Sequence, residues 1–378
     1  MSGPLAGIRI VEFAGLGPTP FAAMMLADMG AEVLRIERGW PPADSPGDPA
    51  FDYLRRGRPA IILNLKTDDD RAHARDLVAR ADVLLEGFRP GVMERLGLGP
   101  GDLTAEHPRL IYARMTGWGQ TGPLAHKAGH DINYLALTGG LHMMGEADRP
   151  PVPPINFVGD YGGGGMFVVA GILAALVARH TTGRGQIIDA AMVDGASTLM
   201  TQMFAWTAMG AWRPARDSNL LDGAAYYYRC YAAQDGKFIA VGALEPQFHD
   251  NLLRGLGLDP ADFGDRLNRA HWDARTEQLA AIFATRPRDA WIAQLEPFDA
   301  CVSPVLNMAE ATEHPANLAR GVHVAMPSGV QPAFAPRLSD TPGTVGAMPD
   351  RPGTEAAPRL AAWGFDDMTI RTITGSGE

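Results

Sequence analysis

The chain has 378 residues, of which 46% are hydrophobic and 20% charged, the balance of a soluble globular protein with two or three domains and a sizeable core. Its net charge of −10 argues against nucleic acid or an anionic membrane surface as a chain-wide partner, although a local basic spot is expected at Arg55, Arg56 and Arg58. Only two cysteines occur, Cys230 and Cys301, so no disulfide framework is expected and a reducing, cytoplasmic location is the natural reading.

Residues 7–13 form a short apolar run with β-branched side chains, read as a buried strand. It ends in Ala14-Gly15-Leu16-Gly17-Pro18. A helix follows over 21–29, stopped by Gly30, and a second strand over 31–36. Strand, glycine turn, helix and strand in succession imply an α/β fold with a parallel sheet. The pattern continues with strand 60–65, helix 68–81, strand 82–85, a short helix over 92–96 and strand 110–115. Then come a long buried helix over 166–179, strand 186–189 and an apolar helix over 192–206. The longest apolar runs, such as 166–178, read as buried helices too short to span a bilayer, and no signal pattern opens the chain.

Composition changes after Gly210. Residues 212–223 are polar and read as a linker. Segments 226–233 and 237–242 flank Asp235-Gly236, a strong hairpin signal. Helices are expected over 246–256, 275–284 and 288–295, and a strand over 301–306. From 326 to 358 proline and glycine suggest an extended return, with a terminal helix over 354–365.

Several residues invite chemistry. Gly15-x-Gly17 follows a strand and opens a helix, and Glu37 lies twenty residues after Gly17, where a ribose-binding acid would stand. Pro20 occupies the place of the third glycine, so the alternative is a tight β–α turn with Glu37 at a strand end. Arg38 beside it would suit a phosphate. His126 and His130 are four apart, the spacing of two metal ligands on one helix face, but Pro123 and Gly129 argue against a helix there. His130 stands out among ten histidines because Gly129 frees the backbone and Asp131 and Asn133 supply polar partners. Asp160 closes a short apolar run and precedes Tyr161 and the four glycines 162–165. It is read either as a helix N-cap or as a site carboxylate beside amides that approach a ligand, as in an enolate hole. Glu245, between Leu244 and Pro246, is a helix N-terminal residue or a site group.

Taken together, ordered segments resemble the class III (formyl-CoA-transferase-like) superfamily and, within it, the α-methylacyl-CoA racemases. They include Pro4-Leu5-Ala6-Gly7-Ile8-Arg9, Leu26-Ala27-Asp28-Met29-Gly30-Ala31, Arg35-Ile36-Glu37-Arg38 and Phe88-Arg89-Pro90-Gly91-Val92. Further on come Gly117-Trp118-Gly119-Gln120-Thr121-Gly122-Pro123, Ala128-Gly129-His130-Asp131-Ile132-Asn133-Tyr134, Gly183-Arg184-Gly185-Gln186 and Leu244-Glu245-Pro246-Gln247-Phe248. The likeness runs from residue 4 to about 306.

That resemblance implies an isomerase of lipid metabolism that interconverts (2R)- and (2S)-2-methylacyl-CoA thioesters, whose acyl chain could be a branched fatty acid, a sterol side chain or an aryl-propionyl group. It implies His130 and Asp160 as the two acid/base groups, with Glu245 supporting the histidine and Asn156 the aspartate. It further implies CoA or substrate contacts from Arg38, Ile62, Leu63, Arg89, Gly129, Asp131 and Tyr134. An acyl surface built from Met143, Met144, Met192, Met200 and Met203 is also implied, although methionines as often fill core gaps. No cofactor and no metal are expected, because CoA belongs to the substrate. The implied architecture is α/β: a large Rossmann-like CoA-binding domain over 1–210, completed by 325–378, and a small α+β domain over 225–320. Residues 211–224 and 321–335 would link them. Two such chains would interlock as a homodimer, with the active site between the large domain of one and the small domain of the other. The alternatives are a class III CoA-transferase with Asp160 as nucleophile and a non-catalytic acyl-CoA binding protein.

Overall fold

The computed structural model describes residues 3–39, 48–349, 351–353 and 355–375. The chain divides into two compact units. The first comprises residues 1–138, 154–200 and 321–378, the second 139–153 and 201–320. Residues 139–153 and 201–210, which the sequence assigns to the large domain, thus group with the second unit.

The first unit opens with β1 (Arg9–Phe13), α1 (Pro18–Asp28) and β2 (Glu32–Glu37). Proline begins α1, where a missing N–H costs nothing. Its end is a Schellman turn: Gly30 takes φ 95, its amide reaches the Ala27 carbonyl, and the Ala31 amide reaches that of Leu26. Then follow β3 (Ala60–Ile62), α2 (Asp68–Ala79), β4 (Val83–Glu86), α3 (Val92–Arg95), α4 (Pro100–Glu106), β5 (Ile111–Thr116) and α5 (Asp131–Thr138). Thr67 caps α2, and the aspartate triplet Asp68, Asp69 and Asp70 occupies its first turn, where the helix dipole favours negative charge. A π-helix over Phe157–Gly165 runs directly into α6 (Met166–Thr182), followed by β6 (Ile187–Ala191) and α7 (Met192–Leu199).

The six strands form one parallel sheet in the order β3-β2-β1-β4-β5-β6. This is the doubly wound order, in which the chain reverses direction across the sheet between β1 and β4. Helices cover both faces. Leu77 and Val78 of α2 and Met93 of α3 pack on one face with Val11, Leu34 and Leu84. Leu26 of α1 and Val168, Ile172 and Ala175 of α6 pack on the other with Ile10, Val33 and Ile111. The π-helix and α6 together make a 26-residue apolar helix, long enough to cross a membrane by length and composition, where the sequence suggests shorter runs. Its inward residues belong to the sheet core.

The basic spot expected at Arg55, Arg56 and Arg58 is not a surface feature. All three guanidinium groups are buried. Arg58 pairs with Glu12 of β1, Arg56 holds Asp28 of α1 at 2.6 Å, and Arg55 lies 3.6 Å from Glu37 of β2. The sequence hides this because the partner carboxylates come from strands and a helix 18 to 46 residues away.

The second unit contains α8 (Thr201–Ala208), β7 (Tyr228–Ala232), β8 (Phe238–Gly242), α9 (Pro246–Gly255), α10 (Trp272–Phe283), α11 (Arg288–Leu295), β9 (Val302–Val305), α12 (Met308–Glu313) and α13 (Pro315–Arg320). β7, β8 and β9 form an antiparallel sheet, and the β7–β8 hairpin turns at Asp235-Gly236 as the sequence predicts, with Gly236 at φ 74. The core is aromatic, with Tyr226, Tyr227, Phe263, Trp272, Phe283 and Trp291 buried together.

The chain returns to the first unit through a hairpin of β10 (His323–Met326) and β11 (Gly329–Pro332), then α14 (Ala356–Ala362) and α15 (Asp367–Thr374). The hairpin and α15 are not foreseen in the sequence. The terminal helix is, although Thr354, its expected first residue, lies outside the described residues.

Candidate active site

A cleft of about 560 Å³ opens at the carboxyl ends of β1 and β4, where ligands of open α/β sheets gather. Its walls are residues 14–19 after β1, Gly87, Phe88, Arg89 and Pro90 after β4, and Met115 to Trp118 at the end of β5. Arg38, Ala125, Lys127, Ala128, Gly129, His130, Tyr134, Asp160 and Met192 complete it. Six of the implied acid/base and CoA-contact residues therefore share one cavity, His130, Asp160, Arg38, Arg89, Gly129 and Tyr134, together with Gly15, Gly17 and Met192.

His130 is exposed and immediately precedes α5. Its carbonyl accepts from the Asn133 amide at 2.8 Å, and its own amide donates to the Asn133 side chain at 3.0 Å. The residue thus starts the helix with its backbone groups satisfied and its imidazole in the cleft. His126 is not on that helix, so the two histidines do not share a helix face. Tyr134, one turn into α5, donates its hydroxyl to the Gly129 carbonyl at 2.5 Å and packs edge-on against Trp118 at 4.7 Å. A methyl group on Gly129 or Gly117 would strike the Tyr134 ring, which explains a glycine at both positions.

Asp160 lies inside the π-helix, half-buried, where the sequence suggests a glycine-framed turn. Burial pushes its carboxyl above the usual carboxylate range, and the Asp131 carboxylate adds to the shift. A hydrogen bond from the Asn156 side chain and the positive form of His130 pull it back. Asn156 directly precedes the π-helix. Gly17, at φ 65, leaves room for the Asp160 side chain: a Cβ there would stand 3.0 Å from Oδ2. Asp160 therefore stands against Gly17, and Glu37 is buried against Arg35 at 2.6 Å, which takes away the ribose-binding acid of the dinucleotide pattern, while Gly15 and Gly17 themselves line the cleft.

Three of the four glycines have a packing role: Gly163, Gly164 and Gly165 are buried against neighbouring elements. A methyl group on Gly163 would lie 2.6 Å from the Ala196 amide nitrogen of α7, and one on Gly164 would lie 2.9 Å from Pro18 Cβ of α1. They let the π-helix press against its neighbours.

Three other expected contacts lie elsewhere. Leu63 is packed in the sheet core, Ile62 is exposed, and neither lines the cleft. Asp131 is buried, and its carboxylate turns away from the cleft wall toward the π-helix, accepting the Asp160 amide at 2.7 Å. The resemblance implies it as a substrate contact, and no local signal reveals its partner twenty-nine residues on. Glu245 belongs to the second unit, exposed at the N-cap of α9 with its carboxylate making no capping hydrogen bond.

The doubly wound sheet with a cleft at its switch point fits many nucleotide- and CoA-binding proteins, and the family match decides among them: the chain belongs to CoA-transferase family III, whose profile matches residues 5–355. Alpha-methylacyl-CoA racemase of Mus musculus is 42% identical over 371 residues, covering 97% of this chain and 95% of that protein. The Homo sapiens racemase is 43% identical over 341 residues, covering 89% and 87%. A crystal structure of a CAIB/BAIF family protein from Brucella suis matches with a TM-score of 0.81 at 28% identity, covering 96% of this chain and all of that one (100%).

Proposed function

We propose that this protein is an isomerase that interconverts (2R)- and (2S)-2-methylacyl-CoA thioesters without a cofactor. The identity to two racemases over most of the chain supports the activity. The observation that carries the mechanism is that His130 and Asp160 line one cleft, and are close enough for a charged His130 to lower the proton affinity of Asp160.

Racemisation at the α-carbon requires one group to remove a proton and a second, already protonated, to deliver one to the opposite face. His130 takes the proton of the S epimer while protonated Asp160 donates to the other face. In reverse, Asp160 takes the R proton and protonated His130 donates. In each direction one C–H bond breaks, one forms, and the pair exchanges protonation states. The charge that collects on the thioester oxygen calls for waiting donors. The amides of Asn133 and Tyr134 are engaged by the His130 carbonyl, and those of Asp131 and Ile132, which open α5 directly after His130, suit that purpose. The raised proton affinity of Asp160 suits a group that must donate as well as accept.

Arg38 and Arg89, both exposed on the cleft wall, suit the phosphates of CoA. The proposal extends to a homodimer. α8 buries none of its residues and exposes Phe204, with Met209 exposed just beyond it, an apolar surface of the kind a second copy covers. Glu245 of one chain would then support His130 of the other, with a carboxylate that no capping bond engages. Free thiols at Cys230 and Cys301 agree with a reducing compartment.

The test is incubation of the protein with a single epimer of a 2-methylacyl-CoA in deuterated water, with no acceptor acid. Loss of optical purity together with deuterium at the α-carbon is expected. No exchange, with CoA transfer once succinate or oxalate is added, overturns the reading in favour of Asp160 as a nucleophile.

A further inference from the structure

The two groups of the cleft sit on different elements, one just ahead of α5 and the other inside the π-helix. One side chain joins those elements at the site itself. Asp131, the first residue of α5, accepts the Asp160 backbone N–H at 2.7 Å from a position where it is only 8% exposed. Its carboxylate lies so close to Gly159 that a methyl group there would overlap it. Asp131 is covalently next to His130 and hydrogen-bonded to the main chain of Asp160, so a single short bridge spans the two. We propose that Asp131 is the positioning residue that sets the separation of His130 and Asp160 across the substrate carbon, a role that rests on the racemase reading of the cleft.

The physical case has two parts. A two-base reaction tolerates little error in the position of either base, and a displacement of about 1 Å can cost on the order of 10²-fold in rate. The bridge carries one of its ends to the main chain of Asp160, which leaves the Asp160 carboxylate free to exchange protons. The second part is electrostatic. The Asp131 charge raises the proton affinity of Asp160, after burial itself. The other groups facing Asp160 are His130 and Asn156, which lower it, and Tyr134, whose own hydroxyl feels the Asp160 charge. From the turn before α1 the neighbour is Gly17, and α7 contributes Met192 to the same cleft, neither of them ionisable. Asp131 is itself pushed up by burial and drawn back by the Asp160 and Gly159 amides, so the bridge and the charge depend on each other.

Three variants separate these effects: Asp131→Ala removes bridge and charge, Asp131→Asn keeps an acceptor and removes the charge, and Asp131→Glu keeps the charge on a longer arm. With a 2-methylacyl-CoA epimer in deuterated water, Asp131→Ala should lower kcat about 100-fold with KM changed less than about 3-fold. Asp131→Asn should keep kcat within about 10-fold, but the acid limb of the R-to-S rate should move to lower pH. Asp131→Glu should lose rate without moving that limb. Hydrogen exchange gives a readout independent of turnover: the Asp160 amide should exchange much faster in Asp131→Ala than in the unaltered protein. A kcat within 3-fold in Asp131→Ala, a loss confined to KM, or an unchanged Asp160 amide overturns the proposal. If Asp131→Ala does not fold, an unmoved limb in the isosteric Asp131→Asn overturns it. An unaltered protein that exchanges no α-proton overturns the racemase reading instead, and the amide comparison still decides whether the bridge exists.

Discussion

His130 stands exposed at the amino end of α5, whereas Asp160 is half-buried in a π-helix that continues into α6. Both look alike in the sequence, a polar residue beside glycine. Their surroundings diverge in a way that fits opposite duties. The imidazole has water on one side, and its nearest structural ties are made by its backbone. The carboxyl is enclosed by Gly17, Asn156 and Asp131, which together set how tightly it holds a proton. Two groups that must alternate as acid and base gain from such asymmetry, because a carboxyl in water would hold its proton too weakly to donate near neutral pH.

The sharpest way to break this comparison is to remove one side at a time. His130→Ala and Asp160→Ala should each lower racemisation by at least about 10³-fold. Each should leave α-proton exchange with solvent for one epimer only, the R form in His130→Ala and the S form in Asp160→Ala. Deuterium uptake resolved by chiral chromatography measures both quantities. Near-normal turnover in both directions by either variant would sink the two-base assignment.

The next effect concerns how the π-helix is held. Gly195 of α7 and Gly163 of the π-helix meet backbone to backbone, and a methyl group on Gly195 would overlap the Gly163 carbonyl oxygen. Gly195→Ala should therefore destabilise the first unit by about 3 kcal/mol, the upper range for overpacking a core. A urea titration followed by a probe in that unit measures it. No comparable loss is expected from alanine at Gly97, where open space surrounds the Cβ position and only the backbone angle of φ 69 opposes it. Equal losses at the two glycines would mean that the close approach contributes nothing.

The same contact shows why the sequence is legible in some places and silent in others. The parallel strands read as short apolar runs, since both sheet faces are covered, and the β–α turn at Gly15 to Pro18 announces the doubly wound fold. Helix 288–295 coincides with its prediction because Pro287 and the apolar spacing mark it locally. The π-helix carries no local mark. Four successive glycines argue for a loop, and the helix persists because glycine alone lets α1 and α7 come close enough to hold it. α5 is only eight residues long, and the β10–β11 hairpin is masked by proline and glycine composition. His130, Asp160, Arg38 and Arg89 are recoverable from motifs. Gly17 as the floor under Asp160, and Asp131 as its main-chain partner, depend on pairs of residues distant in the chain.

The smallest expected effect is the most informative about the enclosed side. The Asn156 side chain donates a hydrogen bond to the Asp160 carboxylate, stabilising the charged form and lowering its proton affinity. Removing the donor in Asn156→Ala raises that affinity further. In the proposed two-base mechanism Asp160 must be ionised to take the R proton, so the pH at which the R-to-S reaction fails on acidification should move upward. At a pH near the unaltered limb the rate should fall about tenfold, in line with the loss of one hydrogen bond to a charged group. The deficit should shrink as pH rises, because the ionised carboxylate of the variant is the stronger base. Asp131→Asn acts on the same group with the opposite sign and should move the limb downward. A pH–rate profile for each variant in the R-to-S direction decides the matter. Limbs that move together, or a loss in Asn156→Ala that persists unchanged at high pH, would show that these neighbours hold the geometry of Asp160 without tuning its proton.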